Sequence, residues 1–165
     1  PLLYYLFTFV EIICRNPIIS MKVTLVLTIV LCAVSGYIYL RRHGSPTSAA
    51  LVTCFIVFSP AVHIYTYNNN FPTNTLAIPF IFMTLYGIDC FDSEKKFDTK
   101  CFLITSLGYA GMILSHLATA FMFTLLAVPY FLLSLYLYRS KKFVQNFIFS
   151  FGFGIAMSAF YLFPA

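Results

Sequence analysis

Charged side chains are scarce in this chain of 165 residues, and tryptophan is missing. Only 9% of the residues are Asp, Glu, Lys or Arg, and five of them are acidic, whereas a soluble domain carries about 25% charged residues. Apolar residues make up 61% of the chain, with 20 Phe and 12 Tyr, and the mean hydropathy is +0.88. This composition excludes a water-soluble enzyme, a disordered tail and a disulfide-rich secreted domain, and it indicates an integral membrane protein.

The sequence also lacks the common motifs of cofactor and metal chemistry. Its five cysteines are odd in number and form no CxxC pair, so neither a disulfide framework nor a zinc site is predicted. There is no Walker loop, GxGxxG or HExxH, and no basic patch with interleaved aromatics that would indicate a nucleic-acid partner. We therefore predict no cofactor and no metal ligand within these residues.

Long stretches of the chain carry no formal charge: 23–40, 43–88, 101–138 and 143–165. A charge at mid-bilayer costs about 2.5–3.5 kcal/mol on insertion scales, so such stretches are expected where lipid is the solvent. A spanning helix needs about 20 apolar residues. The first and last stretches each fit one crossing and the middle two fit two each, which predicts spans near 23–40, 48–67, 72–88, 101–117, 119–138 and 144–163.

The predicted fold class is therefore all-α, a polytopic transmembrane helical bundle with about six spanning helices. Turn residues at 68–72 and 115–119 separate the paired spans. Residues 1–14 are apolar but short, and they favour a juxtamembrane helix at the membrane surface over a truncated crossing. We expect one membrane domain over 1–165, with an outer segment 1–22 and a six-helix region 23–163. Because the chain begins with proline, we also expect it to be part of a longer protein.

Basic residues are distributed unequally between the two sides of this arrangement. Two of them fall on the side of the N-terminal segment, Arg15 and Lys22. The positive-inside rule places the other side in the cytoplasm, which predicts a multi-pass protein of the cytoplasmic membrane. The basic residues of that cytoplasmic side are Arg41, Arg42, Lys95, Lys96, Lys100, Arg139, Lys141 and Lys142.

Small residues at helical spacing predict where the helices contact one another, because close packing matters more in lipid than apolar burial. The predicted seams are Ala33 and Gly36, then Gly108, Gly111 and Ser115, and finally Ser150, Gly154 and Ser158 with Gly152 and Ala156 beside them. Prolines 60, 79 and 129 predict kinks or breaks, and Ser59 is a candidate to pair with a carbonyl that Pro60 frees.

Polar residues concentrate on the predicted outer side and define a candidate substrate-binding pocket. Arginine suits a phosphate there, because its guanidinium forms paired hydrogen bonds. The alternative is that Tyr, Asn and His simply populate the membrane interface, and that Glu11 and Arg15 form an ordinary i,i+4 pair. The candidate residues are Arg15, His63, Tyr67, Asn69, Asn70 and His116.

A family resemblance follows from motifs in order along the chain. They are Pro1-Leu2-Leu3-Tyr4-Tyr5-Leu6, Ser35-Gly36-Tyr37-Ile38-Tyr39-Leu40-Arg41-Arg42, Phe58-Ser59-Pro60, an Asn-rich turn, Leu114-Ser115-His116, and Phe160-Tyr161-Leu162-Phe163-Pro164-Ala165. In this order they resemble the middle of a GT-C superfamily glycosyltransferase. More narrowly, the chain is similar to bacterial and archaeal membrane proteins described as related to 6-pyruvoyl-tetrahydropterin synthase, a label that implies no pterin chemistry here.

The resemblance implies an enzyme that moves a sugar from a polyprenyl-phosphate donor to a lipid or cell-surface acceptor. Its partners would be membrane lipid and the lipid-linked sugar, and no nucleic acid is implied. The acidic residue that such families use as base or metal ligand would precede Pro1, so any divalent metal would be held outside this chain and the fragment alone would be inactive. Two other classes stay open: a multi-pass transporter or lipid flippase subunit, and a non-catalytic membrane assembly protein.

Overall fold

A computed structural model describes residues 1–64, 72–91, 99–138 and 141–163, and this part of the chain forms helices without strands. The chain divides into two compact units, Pro1–Pro79 and Phe80–Ala165, which are described separately below. The helices are α1 Leu2–Cys14, α2 Pro17–Leu40, α3 Pro46–Val57, α4 Pro60–His63, α5 Pro72–Asp89, α6 Thr99–Ser115, α7 Leu117–Tyr138, α8 Lys141–Met157 and α9 Ala159–Leu162.

In the first unit, α2 packs against both α1 and α3 through a stripe of small side chains. The buried residues of α2 recur every fourth position, and those of α3 do the same. Such spacing places one residue per turn on a single face of a helix. The seam therefore brings two backbones close together, as membrane helices require. The stripe consists of Ser20, Thr24, Thr28, Cys32 and Gly36 on α2, and of Ala49, Thr53 and Val57 on α3.

In the second unit, α5 and α6 form an antiparallel pair whose backbones touch at two glycines. A Cβ on Gly108 would lie 2.8 Å from the backbone nitrogen of Thr84, and a Cβ on Gly87 would lie 2.8 Å from that of Thr105. Each helix thus presents a glycine to a threonine of the other. Because the glycines have no side chains, the helices approach more closely than any larger residue would allow.

Helix α6 also runs parallel to α8, with α7 as the antiparallel helix between them in sequence. A Cβ on Gly154 of α8 would lie 3.0 Å from the carbonyl oxygen of Ser106, and one turn further Ser158 Oγ donates to the carbonyl oxygen of Ala110 at 3.4 Å. The rings of Tyr109 and Phe151 pack beside this seam with centroids 4.5 Å apart and ring planes at 43°. α6 is consequently the most enclosed helix of the unit, with ten buried residues.

The helices follow the predicted spans closely, with two differences. The predicted span 48–67 is interrupted after Val57, because Pro60 starts a new helix and cannot continue the old one. The predicted span 144–163 is interrupted at Ser158, between α8 and α9. Prolines 79 and 129, in contrast, lie inside continuous helices.

The predicted seams are confirmed in most positions. The buried set includes Gly36 and both of the triplets predicted from spacing, Gly108, Gly111 and Ser115 on α6 and Ser150, Gly154 and Ser158 on α8. Ala33 is only half-buried, since the seam of α2 follows Cys32 and Gly36 instead. Gly152 and Ala156 are exposed, and a Cβ on Gly152 would meet nothing within 4 Å.

Length and hydropathy single out α2 among the described helices as able to cross a membrane. It has 24 residues, and its most apolar window has a mean hydropathy of 2.3. The described apolar helices that are shorter than a crossing include α1, α3 and α6. An all-helical fold is therefore confirmed, whereas the six-span arrangement, the single membrane domain and its cytoplasmic orientation stay predictions.

Some of the basic residues assigned to the cytoplasmic side belong to described helices of the second unit. Lys100 is in the first turn of α6 and Lys142 in the first turn of α8, and these two helices are parallel. Both lysines therefore lie at one end of the unit. Arg41 and Arg42 lie in the α2–α3 connection, and the predicted residues Lys95, Lys96 and Arg139 lie outside the described part of the chain.

Adding a methyl group to Gly108 should destabilise the second unit. Gly108→Ala places a Cβ against the backbone of Thr84, and overpacking of this kind costs about 1–3 kcal/mol. Gly152→Ala is the matched control, because its Cβ meets nothing within 4 Å. Thermal unfolding in detergent should show a lower Tm for Gly108→Ala and an unchanged or higher Tm for Gly152→Ala. Equal midpoints would contradict the close contact of α5 with α6.

The six-span arrangement predicts that the α2–α3 and α6–α7 connections face opposite compartments. Single cysteines at Gly44 and Leu117, both exposed, in a background with the five native cysteines replaced, should react with an impermeant maleimide from opposite sides of oriented vesicles. Labelling of both positions from one side would rule out this arrangement.

Candidate functional site

The two-residue connection between α1 and α2, Arg15 and Asn16, forms a sharp corner with a defined backbone. Arg15 adopts a left-handed conformation, φ 51° and ψ 24°, and its N–H donates to the carbonyl oxygen of Glu11 at 2.8 Å. The Asn16 side chain then accepts from the N–H groups of Ile18 and Ile19 at 3.1 and 3.2 Å. Since Pro17 has no N–H to satisfy, this connection ends one helix and begins the next within two residues.

Arg15 presents its charge to the surroundings at this corner. Its side chain is exposed, and it forms no ion pair with Glu11. The left-handed backbone of Arg15 takes it off the regular helical path on which an ordinary i,i+4 pair with Glu11 forms. Arg15 is the one described residue other than glycine with a positive φ.

Exposed apolar side chains surround the corner on both helices. On α1, Leu3 and Val10 are buried, and the side chains of the opposite face are exposed. Lys22, on the second turn of α2, is exposed as well. Hydrocarbon and cationic groups thus lie together, a combination that suits an amphiphile with an anionic head. The exposed apolar residues next to the corner in sequence we call the apolar rim: Ile12 and Ile13 of α1, and Ile18, Ile19 and Met21 of α2.

The chain after α2 is broken between α3, which ends at Val57, and α4, which begins at Pro60. The sequence predicts that Ser59 pairs with a carbonyl freed by Pro60. In the structure Ser59 Oγ instead accepts from the N–H of Val62 at 3.4 Å, so this serine caps α4. An open groove of about 600 Å³ lies along this break, lined by Leu51, Cys54, Phe55, Phe58, Ser59 and Pro60.

In the second unit, His116 forms the turn between α6 and α7 that the sequence predicts. Its N–H donates to the carbonyl oxygen of Met112 at 2.9 Å, which closes α6. Its Nδ1 accepts from the N–H of Thr119 at 3.2 Å and contacts the Thr119 hydroxyl at 2.9 Å. His116 lies between the helices, and partial burial lowers its pKa below the ordinary value of 6.5. The neutral imidazole therefore caps α7.

The structure describes only part of the predicted outer cluster. Arg15 belongs to the first unit and His116 to the second. His63 ends α4, and its side chain lies outside the described part of the chain, together with Tyr67, Asn69 and Asn70. The substrate-binding role of these residues stays a prediction.

Several polar groups were missed by the sequence reasoning. Asn16 carries a recognisable signal, because Asn followed by Pro is typical of a helix start. Tyr109 Oη and Thr124 Oγ1 lie 2.7 Å apart between α6 and α7. No local sequence pattern predicts this pairing. In the part of the chain that the structure describes, the buried hydroxyls without a hydrogen-bond partner are those of Thr24, Thr53, Ser115 and Ser150.

No part of the described chain brings together three or more His, Cys, Asp or Glu residues that could hold a metal ion. The described carboxylate of the second unit is that of Asp89, and its Oδ1 accepts from the hydroxyl of Tyr130 at 3.0 Å. The polar side chains described here can therefore form hydrogen bonds or contribute charge, but they do not form a ligand set for a metal ion.

The apolar helices, their small-residue seams and the cationic corner define a helical membrane protein. The chain belongs to the family of membrane proteins described as the 6-pyruvoyl-tetrahydropterin synthase related domain, whose model matches residues 1–165. The identification of this family from the sequence is confirmed.

A relative from Lactococcus lactis subsp. cremoris strain MG1363, described as an uncharacterized protein, is 29% identical over 138 residues. The match covers 79% of this chain and 22% of the relative, so this chain spans about a fifth of that protein. No solved structure matches the chain.

Removing the Asn16 side chain should weaken the α1–α2 corner. Asn16→Ala leaves the N–H groups of Ile18 and Ile19 without their acceptor, and loss of an N-cap costs about 1 kcal/mol. Hydrogen exchange of the first turn of α2 should accelerate in Asn16→Ala and stay near the wild-type rate in Asn16→Asp, which keeps an acceptor. Equal exchange in both variants would show that the cap is unimportant.

Proposed function

We propose that this chain is a membrane-embedded part of a GT-C-like glycosyltransferase that uses a polyprenyl-phosphate-linked sugar. Membership in a membrane protein family and the motif resemblance support this assignment. The chain would supply the wall of the lipid-phosphate site, and the catalytic carboxylate would come from residues that precede it in the whole protein.

The exposed Arg15 at the α1–α2 corner is the observation that supports the proposal most directly. A lipid-linked sugar has a phosphate between a hydrocarbon chain and a polar sugar, so its site needs a cation at the edge of an apolar surface. Arg15 has no ion pair with Glu11, and the apolar rim lies beside it. Its guanidinium would form paired hydrogen bonds to the phosphate while the rim contacts the lipid chain.

The groove at the α3–α4 break is the second feature that suits such a substrate. It is open, and apolar side chains line most of it. We propose that the lipid chain lies against this groove and that His63, Tyr67, Asn69 and Asn70 contribute polar contacts to the head group.

Replacing Arg15 should impair binding of the donor. Arg15→Asn removes the charge while keeping a residue that tolerates the left-handed conformation. In the full-length protein in vesicles, with a labelled polyprenyl-phosphate sugar, we expect the KM for donor to rise about tenfold or more, the range typical for losing a charged hydrogen bond. Arg41→Asn is the matched control, since Arg41 lies at the opposite end of α2 and is also exposed.

The outcomes of this experiment separate the competing functions. Equal donor KM values for Arg15→Asn and Arg41→Asn would remove Arg15 from the site. No transfer by the wild-type protein, together with movement of the lipid or a solute across the vesicle membrane, would favour the transporter or flippase class. Neither transfer nor movement would favour a membrane assembly protein.

A further inference from the structure

The His116 turn holds two helices together through both its backbone and its side chain. Its N–H bonds to Met112 at the end of α6, and its carbonyl oxygen accepts from the N–H of Ala120 at 3.1 Å. The imidazole Nδ1 accepts a hydrogen bond from the N–H of Thr119 at 3.2 Å. An N-cap of this kind is usually Ser, Thr, Asp or Asn, whose acceptors do not titrate near neutral pH.

We propose that His116 makes the start of α7 sensitive to pH, because neutral imidazole caps the helix and imidazolium cannot. A protonated imidazole carries N–H on both ring nitrogens and has no acceptor left, so no rotation of the ring restores the cap. Its positive charge would also oppose the positive end of the α7 dipole. Protonation therefore removes one interaction and adds a repulsion at the same helix end.

The surroundings contain few groups that would offset this charge. The described carboxylate of the second unit, Asp89, lies at the opposite end from His116 and accepts from Tyr130. The described lysines of this unit are near the starts of α6 and α8, away from the turn. The titratable groups on the packed elements are Tyr86, Asp89 and Cys90; Lys100, Cys101 and Tyr109 on α6; Tyr130, Tyr136 and Tyr138 on α7; Lys141 and Lys142 on α8; and Tyr161 on α9.

The direction of the pH effect follows from the neutral folded state. Partial burial lowers the pKa of His116, so the capped state binds a proton less readily than the released state. The cap is fully formed above the ordinary histidine pKa of about 6.5 and is lost as pH falls below it. The first turn of α7 should then open more often, while the rest of the seam between α6 and α8 is unaffected.

Hydrogen exchange on the full-length protein in lipid nanodiscs tests this directly. After correction for intrinsic rates, protection of a peptide covering 117–124 should fall about fivefold or more between pH 7.5 and 5.0 in the wild type, the range expected for a lost N-cap. In His116→Asn, which caps without titrating, protection should be equal at both pH values. His43→Asn is the control and should keep the wild-type response, because His43 lies in the α2–α3 connection.

Two results would overturn the inference. One is equal protection of the wild-type peptide at both pH values. The other is a full pH response in His116→Asn, which would mean that another group titrates. His116→Ser keeps an acceptor and replaces His116→Asn if that variant does not fold. None of these measurements depends on sugar transfer, so the inference and the proposed function fail independently.

Discussion

Close approach of helix backbones is the constraint on which the rest of this structure depends. In lipid, burying an apolar side chain between helices gains little over leaving it among acyl chains, so stability comes from tight van der Waals contact. The α5–α6 pair meets this need with a glycine on each helix opposite a threonine on the other. The α2 stripe does the same with Ser, Thr, Cys and Gly at every fourth position. Many large aromatic and aliphatic residues are exposed on the outside of the helices.

Helix ends present the second constraint, because backbone groups without partners are costly away from water. This chain solves it with short capped connections. Asn16 caps α2, Ser45 caps α3, Ser59 caps α4 and His116 caps α7. The threonine and serine hydroxyls inside helices mostly donate to carbonyl oxygens one turn earlier, as Thr28 does to Thr24 at 2.9 Å. Polar side chains are therefore accommodated locally, without strands or long ordered loops in the described chain.

The positions of the helices were predictable because charge and turn residues mark their ends. The His116 turn, the break at Pro60 and the seams at Gly108 and Gly154 all follow from local signals of one to four residues. The Tyr109–Thr124 pairing and the stripe from Ser20 to Cys32 did not follow. Serine and threonine occur on every helix, so their identity alone does not show which face packs inward. The Arg15 site was predictable as a charge near a membrane surface, but its left-handed backbone was not.

The corner between α1 and α2 shows how a structural requirement and a binding property coincide. Both residues of the two-residue connection leave helical geometry: Arg15 is left-handed and Asn16 is extended. The Arg15 side chain is exposed at this corner. A glycine would relieve the backbone at this position but would remove the cation. Arginine at this position combines a left-handed backbone with an exposed cation, and the proposed phosphate contact depends on that combination.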